Sequence, residues 1–112
     1  MMKIEAMIQH FKLDDVQNAL VDLGLGGMTV TEVKGYGRQR GQKEIYRGTE
    51  YDVSFVPKLR VEVVVADDQL RTAIDAITNA ARTGNVGDGK IAVSEITDAI
   101  RIRTSERGTA AL

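Results

Sequence analysis

The stretch "KLRVEVVVADDQLRTAIDAITNAARTGNVGDGK", Lys58 to Lys90, decides the fold because its hydrophobic period changes in mid-run. Leu59, Val61, Val63 and Val65 alternate with Lys58, Arg60, Glu62 and Val64, the period-two pattern of a strand with one covered face. Asp67 stands where a helix N-cap belongs. Beyond it, Leu70, Ile74, Ile77 and Ala81 recur on one helical stripe, and "RTGNVGDGK" (82–90) ends the helix.

Reading outward, Met2, Ile4, Ala6 and Ile8 share one face of a strand, with Lys3, Glu5, Met7 and Gln9 opposite. Leu13, Val16, Ala19, Leu20 and Leu23 form a helical stripe, with Asp14 and Asp15 in the first turn, where the helix dipole favours negative charge. Gly24 is the expected stop. Met28 to about Tyr36 is rich in β-formers and reads as a strand, as does Ile91 to Ile96. "AIRIRT" (99–104) is expected as a short extra strand and "SERGTAAL" (105–112) as a frayed tail. The order β-α-β-β-α-β predicts a single α+β domain over residues 1–112, ferredoxin-like, with one antiparallel sheet and two helices on one of its faces. The other face carries Lys3, Glu5, Met7, Arg60, Glu62 and Val64, a mixed surface that suits either water or further subunits.

Composition narrows the function classes. The 112 residues are 43% hydrophobic and 28% charged, ordinary for a globular chain that buries a modest core. The formal net charge of −1 argues against a general nucleic-acid binder, which needs a basic excess to meet phosphates. There is no cysteine, and His10 is the only histidine, so thiolate chemistry, a histidine-based zinc site and a catalytic triad all lack their parts. No apolar run approaches the ~18 residues that would cross a membrane, and the N-terminus does not read as a signal peptide; a cytoplasmic protein is expected. Asp14, Asp15, Asp67 and Asp68 read as helix-start residues rather than catalytic pairs.

The connection between the two central strands is far longer than pairing requires. "KGYGRQRGQKEIYRGTEYDVSF" (34–55) holds all three tyrosines, four glycines and both signs of charge, with no sustained apolar period. Loops beyond ~12–15 residues are usually functional or disordered. The glycines cluster at its base, and Tyr46, Arg47, Glu50 and Tyr51 at its tip suit contact with a partner. Such a segment is expected to stay mobile until something binds it, which makes it a natural switch.

Three groups could hold an anion. "GNVGDGK" (84–90) nearly fits the G-x-x-x-x-G-K phosphate loop, but Ile91 replaces the Ser or Thr that meets magnesium and a strand follows, so a Walker A site is rejected. Glycine N–H groups converging on an anion beside Lys90 remain possible, as does a plain helix-to-strand turn. Arg101 and Arg103, two apart, would project from the same side of a strand as paired guanidinium forks or as solvated edge charges. Arg38 and Arg40 repeat that spacing.

Taken together and in order, "FKLDDV" (11–16), "MTVTEVKGYGRQRG" (28–41), "EIYRGTEY" (44–51), "TGNVGDGKI" (83–91) and "IRIRT" (100–104) resemble the PII nitrogen-regulatory signal-transduction proteins, over nearly the whole chain. The resemblance implies a homotrimer with a nucleotide site, open to ATP or ADP, in each cleft between subunits. It names 37–55 the T-loop, which docks on targets, 83–90 the B-loop and 102–109 the C-loop. It implies that Gly87, Asp88, Gly89 and Lys90 hold the phosphates, that Arg38 reaches the terminal one, and that Arg101 and Arg103 come from the neighbouring subunit. Thr29, Glu62 and Val64 would lie near base and ribose, with Gly35 at the T-loop base also in the nucleotide site. Gln39 would give an oxygen to Mg2+, whose shell ATP and 2-oxoglutarate complete, and Lys58 would pair with the far carboxylate of 2-oxoglutarate. Tyr51 matches a tyrosine that many bacterial members have uridylylated. The implied partners are an ammonium channel, through which alone it would meet a membrane, a uridylyltransferase, an adenylyltransferase that modifies glutamine synthetase, and a sensor histidine kinase; no nucleic acid is among them.

Within that resemblance His10, Thr49, Ala92 and Ser105 depart from the usual residues, and Arg40 replaces a common lysine. Two other functions compete with a non-enzymatic sensor. One is a small ferredoxin-like phosphatase, for which the chain offers no nucleophile–base pair. The other is a PII-like sensor of another metabolite, as in bicarbonate transport, which the retained Gln39, Lys58 and "GYGRQRG" base (35–41) disfavour.

Overall fold

The computed structural model describes residues 1–36, 42–46, 49–53 and 55–112, with 42–46 and 49–53 described by their backbone alone. The strands are β1 (Met2–Ile8), β2 (Thr29–Gly35), β3 (Gln42–Tyr46), β4 (Thr49–Val53), β5 (Val56–Val65) and β6 (Lys90–Glu95). The α-helices are α1 (Leu13–Asp22) and α2 (Leu70–Ala81). Four strands form the main sheet in the order β2-β5-β1-β6, every neighbouring pair antiparallel. This is the ferredoxin-like α+β arrangement that the alternation of periods predicts.

Register explains why one sheet face is dry. Ile4 lies opposite both Val63 and Val93, and Ala6 opposite both Val61 and Ile91. The odd-numbered apolar residues of β5 and the even-numbered ones of β1 therefore share a face. Ile4, Ala6, Ile8, Leu59, Val61, Val63 and Val65 from the sheet meet Val16 and Leu20 of α1 and Ala73, Ile77 and Ala81 of α2 in one core. Leu70 and Ile74 pack at its margin. Truncating Leu20 or Ile77, both essentially solvent-free, would cost about 2–5 kcal/mol.

The opposite face is polar and internally paired. Glu5 stands directly across from Glu62, a like-charge pairing that destabilises a ladder. Each acid is offset by the cation two residues away on its own strand: Lys3 to Glu5 at 3.0 Å and Arg60 to Glu62 at 2.8 Å. The second pair is close but misaligned, so Arg60 Nε is buried without a hydrogen bond among the described residues.

Three local expectations are corrected. Asp67 is not the helix cap. A 3-10 turn, Asp67–Gln69, precedes α2, and Gln69 closes it: its N–H donates to the Ala66 carbonyl (3.0 Å) and its side-chain oxygen accepts from the Ala66 N–H (3.4 Å). Asp67 instead meets the Met1 amino group at 2.9 Å. Second, "AIRIRT" forms no strand: Ile100 makes a single bridge to Arg107 and the chain then turns. Third, the tail is not frayed. It folds into a turn closed by main-chain bonds from Arg101 to Glu106 (2.9 Å), Ser105 to Arg101 (2.8 Å) and Gly108 to Ala99 (3.0 Å), and ends in a 3-10 helix, Gly108–Ala111.

The excursion also differs from a structureless loop. β3 and β4 pair antiparallel as a separate two-stranded sheet, with Gln42 opposite Val53 and Tyr46 opposite Thr49. At its base the Tyr36 and Phe55 rings tilt together, centroids 5.6 Å apart. No helix among the described residues is long and apolar enough to cross a membrane.

Candidate functional site

The site gathers where β1 ends and β5 and β6 begin. α2 stops at Ala81, and residues 82–89 turn the chain into β6. The turn is organised by Asp88, whose carboxylate accepts from the N–H groups of Thr83 (2.8 Å) and Gly84 (2.9 Å) and from the Thr83 hydroxyl. The same hydroxyl accepts from the Asn85 N–H at 3.1 Å. Donation from the Thr83 hydroxyl, followed by the Thr83 and Gly84 N–H groups, holds the Asp88 carboxyl below its ordinary pKa.

Gly87 and Gly89 both have φ +101°, while the intervening Asp88 does not take a positive φ. Alternating handedness is the backbone condition for successive N–H groups to converge on an anion. Gly89 is required a second time. A Cβ there would stand 1.7 Å from the Met7 carbonyl oxygen, so the loop sits directly on the end of β1. Lys90 follows, exposed, paired in register with Met7.

Lys58 ties this loop to the sheet. It is 8% exposed, and its ammonium donates to the Gly87 carbonyl. Burial lowers its pKa, and the negative charge of Asp88 partly opposes that. Gly35 closes β2 opposite Val56, with the Lys58 stem 3.4 Å from where a glycine Cβ would stand. Thr29 lies opposite Glu62, and Val64 opposite Lys3, all on the open face of the sheet. Under the other face, a cleft of about 310 Å3 runs between α2 and the start of β6, with Ile77, Ala81 and Ile91 in its wall and Arg82 and Lys90 among its polar residues.

The structure thus brings Lys58 to the glycine turn, with Gly35 against the Lys58 stem, and sets Thr29, Glu62 and Val64 on the open face of β2 and β5. It does not place Arg101 there. Nη1 of Arg101 donates to Glu106 Oε1 and Nη2 to the Leu112 main-chain oxygen, each at 3.0 Å, within the C-terminal turn. The strand on which Arg101 and Arg103 would project to one side is absent, because residues 102–104 form a turn. Arg38 and Gln39 lie outside the described residues, as does the Tyr51 side chain, although the Tyr51 backbone pairs with Glu44 in the hairpin. Sequence reasoning missed Thr83 and Glu106. A hydroxyl and a carboxylate bracketing a glycine run, as Thr83 and Asp88 do, is the turn chemistry that signals the first.

Among the described residues no three His, Cys, Asp or Glu side chains gather to hold a metal. What the geometry offers is a shaped backbone turn with one ammonium beneath it and another beside it, suited to an oxyanion rather than to bond-breaking chemistry.

Comparison with known proteins gives a consistent answer. A family model described as nitrogen regulatory protein P-II matches residues 1–106. Curated relatives include "Nitrogen regulatory protein P-II" of Bradyrhizobium diazoefficiens, 59% identical, and of Rhizobium meliloti, 58% identical. "Nitrogen regulatory protein P-II 1" of Escherichia coli K12 is 55% identical. Each alignment spans 112 residues and covers the whole of both chains.

Proposed function

This chain belongs to the nitrogen regulatory protein P-II family, a family of regulators rather than enzymes, and on that premise we propose that it reads ATP, ADP and 2-oxoglutarate and passes the result to nitrogen-assimilation partners through residues 37–55. The observation that carries the reading is the buried ammonium of Lys58 on the Gly87 carbonyl. It joins the turn proposed for the phosphates to the residue proposed for the effector carboxylate. An anion arriving at either one changes the environment of the other.

The roles follow from the chemistry of each group. The N–H groups of Gly87, Asp88 and Gly89 and the ammonium of Lys90 receive the phosphates, while the Asp88 side chain, turned onto Thr83 and Gly84, keeps the turn in shape. Arg38 takes the terminal phosphate. Arg101 and Arg103 reach over from the neighbouring subunit of a homotrimer. Gly35, Thr29, Glu62 and Val64 border base and ribose. Mg2+ prefers oxygen ligands and commonly arrives with phosphates. Gln39 would hold it through its side-chain oxygen, and the ion would supply the positive charge that lets ATP and 2-oxoglutarate occupy the site together. Lys58 then exchanges the Gly87 carbonyl for the far carboxylate of the effector. The effector shifts the T-loop only by its different affinity for the loop's two states.

The protein works in the cytoplasm on this reading. Its partners are an ammonium channel, a uridylyltransferase acting at Tyr51, an adenylyltransferase and a sensor kinase. Isothermal titration tests it. 2-Oxoglutarate should bind only when ATP and Mg2+ are both present, and Gln39→Ala should abolish that binding while ATP still binds. Equal 2-oxoglutarate binding without nucleotide would refute the shared-ion arrangement, and a single-subunit mass in solution would refute the intersubunit site.

A further inference from the structure

Arg101 is already holding an anion. Its Nη1 is bonded to Glu106 Oε1 at 3.0 Å, and that oxygen also accepts from the Thr104 hydroxyl at 2.7 Å. Main-chain bonds from Arg101 to Glu106 and from Ser105 to Arg101 close the ring, so the carboxylate is positioned by the turn itself. Ser105 takes φ +61° to make that closure, a left-handed conformation that side-chain-bearing residues rarely adopt. Arg103 differs: its side chain makes no hydrogen bond or ion pair among the described residues.

We infer that Glu106 sets the affinity of the nucleotide site, as a carboxylate of the chain's own that occupies Arg101 until a phosphate displaces it. The inference rests on the nucleotide reading above. Glu106 gives one oxygen to Nη1 while the Leu112 main-chain oxygen takes Nη2 at 3.0 Å, so a phosphate, which offers paired oxygens to a guanidinium, competes with Glu106 for the Nη1 half of the fork. The pair is exchangeable because Arg101 and Glu106 are 37% and 43% exposed, and water screens it. Thr104 keeps Glu106 in place and so raises the fraction of chains whose Arg101 is occupied. Apparent affinity falls in proportion to the fraction of chains that are not competent to bind. For an ion pair this exposed, the penalty is about two- to five-fold.

The test is isothermal titration of ATP into the full chain at low salt, with circular dichroism to confirm folding. Glu106→Gln keeps the shape and removes the charge, and should tighten ATP about two- to five-fold. Thr104→Val, which frees the carboxylate without altering net charge, should tighten it in the same direction by less. Arg101→Gln should weaken ATP, and in that background Glu106→Gln should have no effect. Asp98→Asn removes a nearby carboxylate that pairs with Arg107 instead (3.1 Å) and should not match the Glu106→Gln gain. Unchanged or weaker binding by Glu106→Gln, or a gain that survives Arg101→Gln, overturns the inference and leaves the nucleotide reading standing. No ATP binding by any of these chains overturns both.

Discussion

The turns at the two ends of β6 are held by groups of opposite sign. In 82–89 a carboxylate, Asp88, gathers backbone N–H groups, and the path depends on positive φ at Gly84, Gly87 and Gly89. In 98–108 a guanidinium, Arg101, gathers oxygens, and ion pairs from Arg101 to Glu106 and from Arg107 to Asp98 brace the ring. Both turns combine backbone and side-chain bonds, but the first alone is seated by a glycine against the β1 backbone, whereas the second, closed by its own main-chain bonds, is braced by exposed ion pairs that water can replace. Substitution should damage the first and only retune the second.

The largest effect is expected at Gly89. In Gly89→Ala the new Cβ meets the Met7 carbonyl, backbone against backbone, at a φ that disfavours any side chain. A loss of about 3 kcal/mol in urea unfolding is expected. An unfolding midpoint equal to that of the unsubstituted chain would mean that the turn lifts freely off β1.

Next comes Lys58→Met, which keeps the stem and removes the donor to Gly87. Leaving that carbonyl unpaired is expected to cost about 1 kcal/mol, the loss being partly offset because no charge is buried any longer. Hydrogen exchange should quicken in 83–90 and stay unchanged in α1. Exchange quickening equally in α1 would show a global rather than a local role.

Acid offers a smaller, local probe. The Asp88 pKa is depressed in the fold, so its bracing of the turn is complete above the unfolded value of about 3.9 and is lost as pH falls through the lower folded value. The Thr83 and Gly84 amide signals should therefore hold at pH 4 and move only below it. Movement centred at or above pH 4 would contradict the bonding to Asp88. Asp88→Asn should remove the acid transition altogether.

The smallest effect belongs to the second turn. Ser105→Gly relieves the φ of +61° but loosens the unfolded chain, and the two nearly cancel, leaving a few tenths of a kcal/mol in thermal unfolding. A change as large as that of Gly89→Ala would erase the contrast between the turns.

The legibility of the fold followed the strength of its periods. Alternation along Met2–Ile8 and Leu59–Val65 and the stripe from Leu70 to Ala81 are one-dimensional signals, and all three elements stand as read. The stop after α1 was legible too: Gly24 takes φ +77°, with bonds from Leu25 to the Leu20 carbonyl and from Gly24 to the Val21 carbonyl. Asp67 misled because a 3-10 turn intervenes, and Gln69 supplies the reciprocal bonds a cap would have made. The β3–β4 hairpin escaped because it has no apolar alternation to announce it. In the site, the glycines of 84–90 were visible, yet the carbonyl under Gly89 and the burial of Lys58 were not, since each depends on residues that are distant in the chain.

The seating of Gly89 on the end of β1 has a practical side. Asn85 and Val86 form the exposed crest of a turn whose foot cannot shift. The chain contains no cysteine, so Asn85→Cys would create a unique attachment point, and the main-chain bond from residue 85 to the Thr83 hydroxyl does not depend on its side chain. A fluorophore mounted there would ride on a stiff post beside the proposed phosphate pocket, turning the protein into an optical gauge of whatever fills it.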